Sequence, residues 1–558
     1  MDYNVILEGW EIPRRILMNS IGSFPMRLLV APLLVLLAGC GPAYYKDSAD
    51  SEVYGIIRQK SEAIKGMPSE FTIDSGEAPA LATAHTESAS GGRISLAEAI
   101  ETAVKNSRSY QSRKEQLYSQ GLSLTSSRHS FAPRFSGSAS GDMSEGDSRK
   151  NVSGALSLGV SKMLATGADL SVSIATNLFR YISGGDPGET ATSAFAAALT
   201  QPLLRGAGRE VALENLTQAE RSMVYAIRDF VRYRKSFSVD VAQSYFNLLQ
   251  QGDQLLNAEN NFHSLQRERI KAELMANAGR VPEFQVDQRR QSEQSARDSW
   301  IRAQQRYENS LDRFKLDLGL PTDVAIEPDP AELEQLAAEI AQPIEMASGE
   351  AIEIALTHRL DLSSDVDRYE DSERRVRVAA NQLKPGLDLI LSYGADTDPN
   401  KQVLDFAEGD SSYSVGADLD LPFDRKSERN SYRQALINRE AAQRNLEEQR
   451  DQIKLEVRDA LRNLQQARQS YEIQENNLRL NERRVESTTL LQQAGRANTR
   501  DVLDAQEDLL DAQNGVTQAL VDHFNARLDL LLALEALKVD DNGLWMIETS
   551  PAQSEESR

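Results

Sequence analysis

The sequence predicts a mostly α-helical chain with a membrane β-barrel portion, laid out twice along its 558 residues. Three observations predict this. Four sequence landmarks recur in the same order in the two halves. Each half holds a very long helical stretch with heptad spacing. Each half also holds segments in which apolar and polar residues alternate.

The recurrence comes first, because a missed repeat misreads the whole fold. Glu98-Ala99-Ile100-Glu101 returns as Glu350-Ala351-Ile352-Glu353, an offset of 252 that also carries Phe131-Ala132-Pro133 onto Leu383-Lys384-Pro385. Leu199-Thr200-Gln201-Pro202-Leu203 matches Leu419-Asp420-Leu421-Pro422-Phe423, and Ala278-Gly279-Arg280 matches Ala494-Gly495-Arg496. The two homologous halves run 94–320 and 347–538. A proline-bearing linker, 321–346, joins them.

From the N-terminus, residues 1–39 read as a secretory signal. Leu28 to Leu37 is the only strongly apolar run, about half the ~20 residues a spanning helix needs, and it follows the basic Arg27. It ends in Leu37-Ala38-Gly39-Cys40, which resembles the bacterial lipobox, and Cys40 is the one cysteine of the chain. In a lipoprotein that cysteine is diacylated and becomes the new N-terminus; Gly41 behind it favours the outer membrane. Either the segment before the apolar run is unusually long, or translation starts at Met18 or Met26. Residues 40–93 form a lipid-anchored leader, with a Gly/Ser/Ala-rich end from Ser75 to Gly92 read as extended or disordered. With no second cysteine, the mature chain has no disulfide to rely on.

Each half then repeats one grammar: a helical stretch of about 35 residues ending before proline, alternating segments, a very long helix, a glycine turn and a shorter helix. The alternating segments fall at about 134–202 and 386–422. Tyr413, Val415, Ala417, Leu419 and Leu421 alternate with Ser414, Gly416, Asp418 and Asp420, as Leu387, Leu389, Leu391 and Tyr393 do with their neighbours. In the first half Leu156, Leu158 and Val160, then Leu170, Val172 and Ile174, alternate with Ser and Gly around Thr166-Gly167. Period two over about ten residues is the pattern of a transmembrane barrel strand. Four to six strands cannot close a pore alone, and hydrocarbon tolerates no open edge, so several copies must share one barrel. The first half carries about thirty more residues here than the second, which either add two strands per copy or form an extracellular extension.

The long stretches carry a/d seams: Ile453, Val457, Ala460, Leu464, Ala467, Tyr471, Leu478 and Val485, and in the first half Val241, Tyr245, Leu248, Leu255 and Phe262. At about 1.5 Å per residue, 209–276 reaches on the order of 100 Å. The helical hairpins turn near Gly279 and Gly495. After the second turn Asp501, Asp504, Asp508 and Asp511 share one helical face. The tail, 539–558, reads as polar and mobile.

Composition narrows the function. The net charge of −22 belongs to the mature chain, because residues 1–39 sum to zero, and so acidic a protein is a poor candidate for binding nucleic acid through its phosphates. Mean hydropathy is −0.47, too polar for a bundle of membrane helices. The five histidines, His85, His129, His263, His358 and His523, have no metal-ligand spacing, and no phosphate loop or nucleophile elbow is present. No catalytic site and no cofactor are expected.

In landmark order, duplication and lipobox together, residues 94–538 resemble the TolC-type outer-membrane efflux proteins, in their lipoprotein branch. The resemblance implies a homotrimer with a shared β-barrel in the outer membrane and a long α-helical barrel crossing the periplasm. It also implies docking of the helix tips (Gly279, Arg280, Gly495, Arg496) onto a periplasmic adaptor and an inner-membrane pump. In this family a tip glycine is followed six residues later by Asp-Val-Leu-Asp-Ala, whose aspartates form charged rings at the periplasmic entrance. Gly495 with Asp501-Val502-Leu503-Asp504-Ala505 matches fully. Where the family has a constriction Tyr and Arg, this chain has Gln492 and Ala497, with Arg496 and Arg500 nearby as substitutes. Its first-tip acidic partner is Gln285 here. The rival reading is a structural coiled-coil lipoprotein, a periplasmic strut without a pore.

Overall fold

The computed structural model describes residues 41–62, 64, 66–74, 92–146, 149–183, 189–339, 346–397, 406 and 411–547. The signal segment and Cys40 lie outside the described residues. The chain divides into two compact units, Met1–Gly55 and Ile56–Arg558. A helix, α1 (Pro42–Ser61), forms in the leader, for which the sequence predicts no element. Pro42 supplies a preset φ at its first position, and Arg58 and Lys60 complement its C-terminal carbonyls. The Gly/Ser/Ala-rich part, 75–91, is outside the described residues.

In the second unit one order of elements occurs twice. The first half runs α2 (Leu96–Asn106), α3 (Arg108–His129), four strands β1 (Arg134–Gly146), β2 (Arg149–Met163), β3 (Asp169–Ser183) and β4 (Glu189–Pro202), then α4 (Glu214–Asn277) and α5 (Glu283–Asp317). The second half runs α6 (Ser348–His358), α7 (Leu360–Asn381), strands β5 (Gly386–Asp396) and β6 (Ser411–Asp420), then α8 (Lys426–Gln493) and α9 (Thr499–Ala533). Lengths correspond: 11 and 22 residues for the paired short helices, 64 and 68 for the long ones, 35 for both return helices. The long helices are thus about 96 and 102 Å at 1.5 Å per residue. Among the described residues no helix is long and apolar enough to cross a membrane.

Helix α2 begins with a capping box, in which the Ser95 hydroxyl accepts from the Glu98 N–H and the Glu98 carboxylate accepts from the Ser95 N–H. The seam residues pack as their spacing requires. Ile453, Val457, Ala460 and Leu464 are buried with Ala351, Ala355, Leu362, Ala526 and Leu530, so α8 closes on α6, α7 and α9. Val241, Tyr245 and Leu248 are buried on α4. The Tyr245 hydroxyl donates to the Ile94 carbonyl at 3.0 Å and accepts from the Asp329 N–H at 3.1 Å. It thereby pins a short parallel pairing of Arg93–Ile94 with Glu327–Pro328. The 321–346 stretch is therefore partly structured, with this pairing and a helix over Ala331–Glu339.

Ion pairs tie α4 of the first half to α7 of the second. Arg221 Nε lies 2.5 Å from Asp371, Arg228 2.5 Å from Asp367, and Arg374 Nε 2.5 Å from Glu214. Tyr225 also donates to the buried Asp371 at 2.7 Å. At the α6–α7 junction Arg359, 2% exposed, grips Asp361 at 2.6 Å and Glu456 at 2.6 Å. Burial alone would raise the Asp361 carboxyl, but hydrogen bonds from Arg359 and the charges of Arg232 and Arg359 outweigh it and hold it below its ordinary value of 3.8. A depressed folded value stabilises the fold above the unfolded pKa, and the gain disappears as the pH falls through the folded one. Thermal melts of wild type and Asp361→Asn should therefore differ most near neutrality and converge as the pH drops below about 4.

The tail departs from expectation. Leu537–Val539 pairs antiparallel with Trp545–Ile547, and the Asp540 carbonyl accepts from Arg234 Nη2 at 2.5 Å. Arg234 is 2% exposed and is further held by the Tyr110 hydroxyl at 3.2 Å and by the Gly66 carbonyl. A buried guanidinium has to be satisfied, and the tail supplies part of that satisfaction. Residues 548–558 are outside the described residues.

The six strands form one sheet in the order β1-β2-β3-β4-β5-β6, every pairing antiparallel. The extra residues of the first half are therefore two strands of this sheet, not an extension beyond it.

Candidate functional site

Two regions hold the residues that sequence singles out, the helix tips and the sheet. At the second tip the α8 backbone closes with Arg496 N–H donating to Leu491 at 2.8 Å and Gly495 N–H to Gln492 at 3.0 Å. The first tip repeats this, Arg280 to Met275 at 2.9 Å and Gly279 to Ala276 at 2.8 Å. Both glycines sit at positive φ, 69° and 73°. This is the Schellman closure, in which an L side chain at the glycine is strained.

The return helix α9 starts at Asn498, whose N–H donates to the Asp501 carboxylate at 2.8 Å in a capping box. Asp501 thus has a local task that the face pattern does not reveal. Asp501, Asp504 and Asp511 are exposed; Asp508 is half-buried and paired with Arg484 of α8. Arg500 lies 3.9 Å from Asp504, a weak exposed pair. The structure joins two of the positions that depart from the family pattern. The buried Thr499 hydroxyl donates to Gln285 Oε1 at 3.2 Å and accepts from Gln492 Nε2 at 3.5 Å, so the two hairpin tips are stitched by a neutral chain. Sequence reasoning missed Thr499, because nothing local marks a residue whose partners are 214 and 7 positions away. Below it Leu503 packs on Phe262, Leu265 and Ala296, where Phe262 and Trp300 stack at 5.4 Å.

In the sheet, residues opposite one another in a ladder share a face, so the register sorts the side chains. One face carries Phe135 and Met143 of β1, Val152, Leu156, Leu158 and Val160 of β2, then Leu170, Val172, Ile174 and Leu178 of β3. It continues through Phe195 and Leu199 of β4, Leu391 and Tyr393 of β5, and Tyr413 and Val415 of β6. Many of these are open: Phe135 is 81%, Tyr413 86% and Val415 71% exposed. So large a contiguous apolar surface needs another apolar phase against it. Lys162 lies at one end of the band and Lys150 and Arg180 at the other. From Val152 to Val160 spans about 27 Å along the strand, roughly 21 Å in height at the usual tilt, near the ~25 Å band of membrane barrels. The one hydroxyl pair on this face, Thr176 and Ser193, is satisfied internally at 2.9 Å.

The opposite face is mostly small and hydroxylated, with Met163, Phe179, Tyr181 and Ile390 as its large side chains. Ser138 pairs with Ser157 at 2.7 Å and Ser392 with Ser414 at 2.7 Å. Ser136, Ser140, Ser153, Ser171, Ser173 and Thr200 extend it, with Asp142, Asp388, Asp396, Asp418 and Asp420 as its carboxylates.

A two-faced antiparallel sheet, one face apolar and the other largely hydroxylated, mounted on helices of about 100 Å has the alternation of membrane-barrel strands joined to a helical extension. Comparisons agree. Residues 351–537 match the outer membrane efflux protein family. No curated protein matches the chain. Among solved structures it is similar to the CmeC outer membrane channel of Campylobacter jejuni, at 17% identity and a TM-score of 0.58, covering 81% of this chain and 86% of that one. The outer membrane protein VceC of Vibrio cholerae gives 18% and 0.59, covering 79% and 95%. The MtrE outer membrane channel of Neisseria gonorrhoeae gives 16% and 0.57, covering 79% and 88%. The likeness to the outer membrane efflux protein family is thus one of sequence over residues 351–537, and about four fifths of the chain shares the fold of these solved channels.

Proposed function

We propose that this chain is the exit duct of a tripartite exporter, a homotrimer whose copies share one barrel in the outer membrane. Cargo moves through it passively from a periplasmic adaptor and an inner-membrane pump. The observation that carries this reading is the sheet, whose exposed apolar face suits lipid and whose largely hydroxylated opposite face suits water. Among the described residues the outer edges of β1 and β6 have no strand partner within the copy. Because the sheet holds an even number of alternating strands, β1 and β6 run in opposite directions, and copies closing edge to edge remain antiparallel throughout. The recurring element order supports an internal duplication. Lipidation at Cys40 adds an anchor to the same membrane. A strut without a pore has no use for the two-faced strands.

Single-channel recording in planar bilayers tests the reading. The folded protein should conduct; no conductance even after Asp501 and Asp504 are neutralised would instead support the strut. Three copies turn Asp501 and Asp504 into acidic rings at the entrance, beside the adaptor-docking tips Gly279, Arg280, Gly495 and Arg496, and such rings attract cations. Asp501→Asn with Asp504→Asn should weaken block by polyvalent cations by about tenfold or more, since asparagine keeps the oxygen that caps α9 and loses only the charge. Unchanged block would move both residues away from the entrance.

A further inference from the structure

Among the described residues the pair β2–β3 has no counterpart in the second half, where two strands serve in place of four. It is not an outlying arm. All 13 residues of β1 pair with β2, and β3 pairs with β4 over Asp169–Arg180, so the hairpin lies within the sheet. Its turn is also at the helix-proximal end of the sheet. The Gly208 N–H donates to the Thr166 carbonyl at 3.3 Å, the Thr166 hydroxyl to Gln201 at 2.9 Å, and a Cβ on Gly167 would sit 2.8 Å from the Gly206 carbonyl. The hairpin therefore spans the sheet's full height from the end where the long helices begin. Its side chains obey the common alternation, with Leu156, Leu158 and Ile174 on the apolar face and Ser157, Ser173 and Asn177 on the hydroxylated one.

We propose that the Arg149–Ser183 hairpin is a third of the barrel wall, so that three copies build an eighteen-stranded barrel, a wide water-filled vestibule for bulky hydrated cargo. This rests on the shared-barrel reading above. With strands about 4.8 Å apart and tilted by about 40°, eighteen strands give a backbone diameter of about 36 Å, against about 24 Å for twelve. The short Ser, Ala, Gly and Thr side chains take up little of that width. The size limit on cargo then lies at the stitched helix tips and not in the membrane. The mostly hydroxyl and aspartate lining, interrupted by Phe179 and Ile390, offers hydrated or cationic solutes little apolar surface to adhere to.

The experiment removes residues 148–185. Deleting two neighbouring strands leaves β1 and β4 antiparallel and the face alternation intact. In bilayers, the largest polyethylene glycol that enters from the extracellular side and lowers conductance should be several-fold smaller in mass for the deletion than for wild type. An unchanged cut-off, with trimers present in both, overturns the inference. Should the deletion fail to fold, full-length single-cysteine variants decide. Ser157→Cys should react with a membrane-impermeant maleimide, whereas Leu158→Cys should react only with a lipid-soluble one. Equal reaction of both with the impermeant reagent places the hairpin in water and overturns the eighteen-stranded wall while leaving the duct reading intact. A protein that forms no trimer and conducts nothing removes both.

Discussion

Leu391→Arg should abolish assembly in the outer membrane, while Ser392→Arg, one residue away, should assemble. Both stand in the middle of β5, but the ladder puts Leu391 level with Leu199 and Val415 on the apolar face and Ser392 against Ser414 on the hydroxylated one. An arginine on the lipid face near the midplane costs about 2–4 kcal/mol, and a symmetric trimer carries that cost three times. An arginine on the lining face stays in water, and there it should lower cation preference by adding positive charge to an acidic wall. The readout is the amount of heat-modifiable trimer in outer-membrane fractions, with reversal potentials for the variant that assembles. Equal assembly of the two would mean that the sheet does not have one face in lipid.

The second large effect is expected at Gly319, in the turn that ends α5. Its φ is 76°, and a Cβ there would lie 2.5 Å from the Asn106 carbonyl carbon and 2.9 Å from the Ser107 nitrogen. Both are backbone atoms at the α2–α3 junction and cannot swing aside. Gly319→Ala should therefore cost roughly 2–5 kcal/mol, combining left-handed strain with overpacking. Gly279→Ala and Gly495→Ala share the positive φ, yet a Cβ at either meets nothing within 4 Å. Their cost should stay near 1 kcal/mol. Denaturation midpoints of the three variants measure the difference, and three equal losses would show that backbone strain alone matters.

Much of this architecture was legible because it repeats. Gly279 and Gly495 declare themselves by sharing Ala-Gly-Arg and a closure that depends only on local backbone, and the strands of the second half alternate strictly. The hairpin around Thr166-Gly167 was visible as alternation, but its place was not, since only long-range pairing decides whether β2 lies beside β1 or stands apart. The same limit hid Thr499 and the Arg234 site that gathers residues 66, 110 and 540. Each of these depends on partners far apart in sequence, and no local propensity encodes them. Helix α1 was missed for another reason: it is polar, so periodicity gave no signal of it.

The central claim is that copies close one barrel through the edges of β1 and β6. Cysteine pairs placed across those edges test it most directly: Ser414→Cys combined in turn with Ser136→Cys, Ser138→Cys, Ser140→Cys and Ser144→Cys, all on the lining face. Oxidised in native outer membranes, at least one pair should give a covalent trimer on a denaturing gel, while Ser414→Cys with the interior Ser173→Cys gives none. Folded, membrane-inserted protein that stays monomeric on the gel for every edge pair would contradict the shared barrel.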